Sequence, residues 1–207
     1  MKVVIATHNK DKLKEIQSEF GSLCFDMVSL EKFPEIGEII EDGHTLKENA
    51  LIKARAVFEK TGLPTISDDT GLEVDALDGN PGVYTARYAG EGCSYEDNVN
   101  KMLKDMIKVP MPNRTAEFKT IMVFKDENKE LIVEGVVKGT ICREARGEDG
   151  FGYDPIFLVP KLDKTFGEMT VSEKNNISHR GNAIRNLIES LKAEYPHYVN
   201  QTNKEMA

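Results

Sequence analysis

The apolar positions change period along the chain, and those changes mark its elements. A short continuous run, Val3-Val4-Ile5-Ala6, reads as a buried strand over residues 2–6. Beyond the polar turn Thr7-His8-Asn9-Lys10-Asp11-Lys12, Leu13, Ile16 and Phe20 recur at helical spacing. The stretch from Leu23 to Ser29 is the next strand, and residues 33–43, acidic and holding Pro34, Gly37 and Gly43, read as a loop. Residues 44–61 form the best helix. At roughly 100° per residue, Leu46, Ala50, Leu51, Ala54, Val57 and Phe58 share one arc, with Lys53 at its border. Gly62 and Pro64 end it.

Thr65-Ile66 reads as a short strand running into an acidic turn, Ser67-Asp68-Asp69-Thr70-Gly71, followed by a glycine-rich, loop-like stretch to Gly92. Ser94 with Asp97 resembles a capping box, and Val99, Met102, Leu103 and Met106 supply the stripe of the helix it opens. Alternation through Ala116, Phe118, Thr120, Met122 and Phe124, with the polar turn from Asp126 to Lys129, predicts an antiparallel hairpin of residues 115–125 and 130–142. A glycine-rich loop from Gly147 to Asp154 leads to the apolar run from Ile156 to Val159. A last helix, capped by Ser178, carries Ala183, Ile184, Leu187, Ile188 and Leu191. Residues 195–207 are polar and read as a flexible tail. Strands and helices that alternate early, with a hairpin late, favour an α/β fold with a mixed sheet, in one domain of two lobes over residues 1–194.

Composition narrows the partners. A chain of 207 residues, 40% hydrophobic and 30% charged, has the make-up of a soluble globular domain. Its net charge of −8 argues against general affinity for nucleic-acid backbones, so an anionic substrate needs local cations or a metal. The opening apolar run is too short for a signal peptide and no stretch is long enough to span a bilayer, so a cytoplasmic protein is expected. Cys24, Cys93 and Cys142 are widely spaced and read as reduced thiols.

Five short segments carry candidate chemistry. The turn from Thr7 to Lys12 joins a strand to a helix N-terminus, whose N–H groups suit a phosphate, with Lys10 and Lys12 adding charge. An ordinary turn with solvated lysines reads equally well. Asp68 and Asp69 are adjacent oxygen donors of the kind magnesium takes, or else a turn pair. Glu41 precedes Gly43 in its loop as a second carboxylate or a solvated charge, and Lys53 either reaches a cleft or snorkels to water. Glycines on both sides of Phe151 in Gly150-Phe-Gly-Tyr-Asp-Pro155 allow its ring to meet a flat base, or to anchor the loop. Lys174, His179 and Arg180 are donors for a keto oxygen or a phosphate.

In this order the segments resemble the inosine triphosphate pyrophosphatase family, which acts on non-canonical purine nucleoside triphosphates. The resemblance rests on Thr7-x-Asn9-x-x-Lys12, Ser67-Asp-Asp-Thr-Gly-Leu72, Pro81-Gly-Val-Tyr-Thr-Ala-Arg87, Phe151-Gly-Tyr-Asp-Pro-Ile-Phe157 and Ser178-His-Arg-Gly181, and covers residues 1 to about 193. It implies an elongated fold with a central twisted, mixed sheet and two lobes flanking an active-site cleft, and a homodimer. It also implies hydrolysis of ITP, dITP or XTP to the monophosphate and pyrophosphate. By the same resemblance Thr7, His8, Asn9, Lys10, Asp11 and Lys12 bind phosphates, Glu41 and Asp69 hold Mg2+, and Lys53 faces the triphosphate. Asp69 is the usual proton acceptor, and Thr70 touches substrate. Phe151, Gly152, Tyr153, Asp154, Lys174, His179 and Arg180 recognise the base. A metal-bound carboxylate is a poor base, which leaves Asp68 as the alternative proton acceptor. A pyrophosphatase of another modified nucleotide, or a nucleotide-binding module without turnover, are the rival readings.

Overall fold

The computed structural model describes residues 1–20 and 25–196; Leu23, Cys24 and the predicted tail beyond residue 196 lie outside them. The strands are β1 (Lys2–Ile5), β2 (Asp26–Ser29), β3 (Thr65–Val74), β4 (Pro81–Gly82), β5 (Thr115–Lys125), β6 (Glu130–Ile141), β7 (Phe157–Val159) and β8 (Lys164–Thr165). They form one sheet in the order β2-β1-β3-β5-β6-β7-β8, with β4 paired to β3. β1 runs parallel to β2 and β3, while β3–β4, β6–β7 and β7–β8 are antiparallel, so the sheet is mixed. The helices are α1 (Lys10–Phe20), α2 (Leu46–Thr61), α3 (Tyr95–Asp105), α4 (Val171–Ile177) and α5 (His179–Glu194). The fold is α/β. Among the described residues no helix is long and apolar enough to cross a membrane.

Two compact units divide the chain. The first gathers Met1–Asp69, Thr120–Gly135 and the chain from Arg180. Here the two-residue period of a strand sorts the side chains. Val3, Ile5 and Ile66 pack with Ile16 and Phe20 of α1 and with Ala183, Ile184, Leu187 and Leu191 of α5. Val4 and Ala6 pack with Val57 of α2 and with Leu30 and Ile36. Each large apolar side chain sealed in this way stabilises the unit by roughly 1.5–3 kcal/mol.

The second unit gathers Thr70–Lys119 and Val136–His179 around Leu72, Val74, Met102, Phe118, Phe157 and Phe166. Arg114 is buried in it and donates to backbone carbonyls: Nε to Ile141 at 2.7 Å, Nη1 to Met106 at 2.5 Å and Nη2 to Cys142 at 2.6 Å.

Several expectations change. Ser67 to Gly71 is not a turn but the middle of β3, a ten-residue strand. Two adjacent aspartates before a glycine read locally as a turn, but their countercharges come from distant helices, and only the folded chain supplies them. The glycine-rich stretch after it holds the rest of β3, β4 and two 3-10 turns. α4 and β8 were not predicted, although Thr170 and Glu173 form a capping box in the same pattern as Ser94 and Asp97. On α2 the buried set is Leu46, Asn49, Ala50, Lys53, Ala54 and Val57, so Lys53 lies inside the face, not on its border. Ser178, expected to open the last helix, directly precedes α5 and is also the C-cap of α4. Tyr195, assigned to the tail, is anchored: its ring meets Phe124 edge-on at 5.6 Å, and its hydroxyl donates to Asp126 at 2.6 Å.

Candidate active site

β3 presents its two aspartates to opposite faces of the sheet. Ile66 belongs to the core with α1 and α5, and Asp68, two residues on, points the same way. Its carboxylate stands 3.0 Å from Lys12 Nζ on α1 and accepts from Arg180 Nε and Nη2 on α5, each at 3.3 Å. Ser67 and Asp69 face α2 instead: Ser67 Oγ donates to the Ala50 carbonyl at 2.6 Å, and Asp69 Oδ1 accepts from Lys53 Nζ at 3.2 Å.

These surroundings divide the electrostatic roles. Burial raises a carboxyl pKa, but the charges of Lys12, Arg180 and Lys53 outweigh it and hold Asp68 far below the usual carboxylate range. Burial likewise disfavours the Arg180 cation, yet Asp68 and Glu15 overturn that and raise it. Glu15, on α1, is buried and accepts from Arg180 Nη1. Sequence reasoning passed over Glu15 as one of many charges on α1. The available signal was its place three residues after Lys12 and directly before the core residue Ile16, which puts it near the apolar stripe.

On the α2 side, Lys53 Nζ lies 2.5 Å from Glu41 Oε2 as well as 3.2 Å from Asp69 Oδ1. Burial works against its charge, but Asp69, Glu41 and Asp68 raise its pKa and keep the ammonium protonated. Glu41 and Asp69 therefore meet at the Lys53 ammonium. Two hard oxygen donors suit magnesium, which takes one or two carboxylates and completes its shell with water or phosphate. Among the described residues no three His, Cys, Asp or Glu side chains gather into a closed metal cage.

The first turn is built by Asn9, whose side-chain oxygen accepts from the N–H groups of Asp11 at 2.9 Å and Lys12 at 3.2 Å. Thr7 Oγ1 accepts from Asn9 N at 3.1 Å, and His8 Nε2 meets the Gly37 carbonyl at 3.0 Å. Two N–H groups offered to a phosphate are thus taken by the cap, and the charge available there is that of Lys12. Lys10 is exposed and reaches Glu31 only at 3.8 Å.

The second unit holds the aromatic set. Gly150 and Gly152 have φ of +79° and +62°, the left-handed region glycine tolerates. A Cβ on Gly150 would sit 2.1 Å from Asp154 Oδ2. That oxygen accepts from Phe151 N at 2.8 Å and from Lys174 Nζ at 2.6 Å, tying loop and lysine together. Lys174 Nζ lies 4.6 Å from the centre of the Phe151 ring. His179 stacks on Phe118 at 4.5 Å, and Tyr153 is buried, its hydroxyl donating to the Thr85 carbonyl at 3.0 Å. Burial raises the Tyr153 phenol pKa, which keeps it a neutral donor. Thr70 is half-buried on β3. The three predicted donors are not used alike: Lys174 and His179 stand with the aromatic set, whereas the Arg180 guanidinium engages Glu15 and Asp68.

A family model described as the Ham1 family matches residues 3–190. The chain is 46% identical over 187 residues to a dITP/XTP pyrophosphatase of Thermoanaerobacter pseudethanolicus, covering 90% of this chain and 94% of that protein. Among solved structures, the Ham1 protein of Staphylococcus aureus superposes with a TM-score of 0.84 at 37% identity, covering 94% of this chain and 100% of the other. A HAM1 protein from Coxiella burnetii gives a TM-score of 0.85 at 38% identity, covering 93% and 99%.

Proposed function

Because this chain belongs to the Ham1 family, we propose that it hydrolyses ITP, dITP and XTP to the monophosphate and pyrophosphate, with magnesium held by Glu41 and Asp69. The observation that carries the reading is the meeting of Glu41 and Asp69 at Lys53, beside the Lys12–Asp68–Arg180 network. Relatives named dITP/XTP pyrophosphatases support the substrate class.

When bound, the metal supplies charge neutralisation at the phosphates. The chain's own residues account for the remaining tasks. Lys53 and Lys12 are the cations available to phosphate oxygens, and both are held in place by carboxylates before substrate arrives. Asp68 keeps Lys12 and Arg180 in position, and the same pairing leaves it little proton affinity. The carboxylate placed to orient the attacking water is Asp69, whose side chain keeps 13% of its surface open. In the second unit, the Phe151 face and the Lys174 ammonium offer a flat apolar surface and a donor. A 6-keto purine accepts from that donor, whereas the amino group of adenine opposes it. The chain acts as a homodimer in the cytoplasm.

Incubation with ITP, dITP, XTP, GTP, ATP and dUTP in magnesium, with the products resolved, tests the reading. Pyrophosphate and a monophosphate from the inosine and xanthosine substrates are expected. Release of orthophosphate, or equal turnover of ATP, would overturn it.

A further inference from the structure

Phe151 sits between two left-handed glycines, on a loop held at its backbone by Asp154, and its ring needs contacts of its own to meet a flat ligand in one orientation. Lys174 Nζ stands 4.6 Å from its centre, and a second contact comes from another element. The Tyr95 ring lies 5.8 Å from Phe151, inclined by 42°, within the range where aromatic pairs attract.

Tyr95 is unusually well placed to be rigid. It is the first residue of α3, directly after the N-cap Ser94. The capping box closes on both sides of it: Asp97 N donates to Ser94 Oγ at 3.1 Å, and Ser94 N donates to Asp97 Oδ2 at 2.8 Å. One turn later Asn98 is buried, accepting from Ala89 N at 2.8 Å and donating to the Ala86 carbonyl at 3.1 Å. Val99 and Met102 then bury the helix in the core. A firmly seated helix thus presents an aromatic ring to the Phe151 ring. Tyr95 itself is 45% exposed, more than a side chain recruited for the core would be.

We propose that Tyr95 is a positioning residue for base recognition, acting through Phe151: its ring pre-orders the Phe151 loop. This rests on the proposed function, in which Phe151 meets the purine. The contribution belongs to binding and not to the bond-breaking step, because ordering a loop in advance lowers the cost of association.

The test is steady-state kinetics with dITP on the full chain and on Tyr95→Ala, Tyr95→Phe and Phe151→Ala, with thermal unfolding of each. Tyr95→Ala is expected to raise KM roughly three- to tenfold with kcat held, the scale of one aromatic pair. Tyr95→Phe is expected to keep the wild-type KM, since the ring and not the hydroxyl makes the contact. Both variants should unfold at the wild-type temperature. If Phe151→Ala raises KM and Tyr95→Ala does not, the inference is wrong while the base platform stands. If Tyr95→Phe matches Tyr95→Ala, the ring contact is not the cause and the inference also fails. A wild-type chain without activity on dITP would instead sink the proposed function.

Discussion

Replacing Asp68 by Asn separates a structural aspartate from its reactive neighbour. Asp68 is 1% exposed and faces two cations, Lys12 at 3.0 Å and Arg180 at 3.3 Å. Asn preserves the shape, removes the charge and turns an amide N–H₂ toward groups that are themselves donors. Breaking a buried pair by deleting one partner costs about 3–5 kcal/mol. For a chain of this size that corresponds to a fall in Tm of roughly 6–20 °C. The sign of the pH dependence gives a second readout. Asp68 is held below its ordinary pKa, so its stabilisation is present above about pH 4 and is lost as the pH falls below that. The Tm gap between wild type and Asp68→Asn should therefore be full at pH 7 and narrow in acid. Asp69→Asn, at the more open neighbour, should abolish dITP turnover while unfolding near the wild-type temperature. Calorimetric melts between pH 3 and 7, beside pyrophosphate release, measure all of this. Asp68→Asn melting with the wild type at pH 7 would refute the reasoning, as would an active Asp69→Asn.

Three further outcomes are expected. Lys53→Met removes the ammonium that Glu41 and Asp69 share and should lower kcat/KM for dITP about 100-fold, the scale of one lost preorganised donor. Chelation by EDTA should stop pyrophosphate release and added magnesium restore it; turnover that persists in chelator would remove the metal role from Glu41 and Asp69. Gly150→Ala places a Cβ 2.1 Å from Asp154 Oδ2 at a φ of +79°, and the displaced loop should raise KM for dITP about tenfold. An unchanged KM would show that the loop's geometry is not used in binding.

What was legible in the sequence was local. The capping box of Ser94 and Asp97, the alternation of β5 and the glycines around Phe151 each declare themselves within a few residues. The family motifs named the candidate side chains in the same way. What was not legible depended on partners far along the chain. Ser67 to Gly71 looked like a turn because Asp-Asp before Gly is turn chemistry in isolation; in the fold it lies within β3, between β1 and β5, and Lys12, Lys53 and Arg180 balance its aspartates. Glu15 drew no reading from the sequence, because its partner Arg180 lies on α5. Arg180, beside His179 in sequence, seemed one of a donor trio, but the two are successive residues of α5 and point differently around it, His179 onto Phe118 and Arg180 onto Asp68.

The spread of Asp68's countercharges has a consequence for biosynthesis. Lys12 and Lys53 leave the ribosome before Asp68, but Arg180 follows it by 112 residues. α5 also supplies Ala183, Ile184, Leu187 and Leu191 to the same core. A chain that stops short of α5 lacks both the second cation and the apolar cover of its first unit. The first unit is therefore closed by residues far apart in the sequence, and its core and its buried charge network are completed by the same helix.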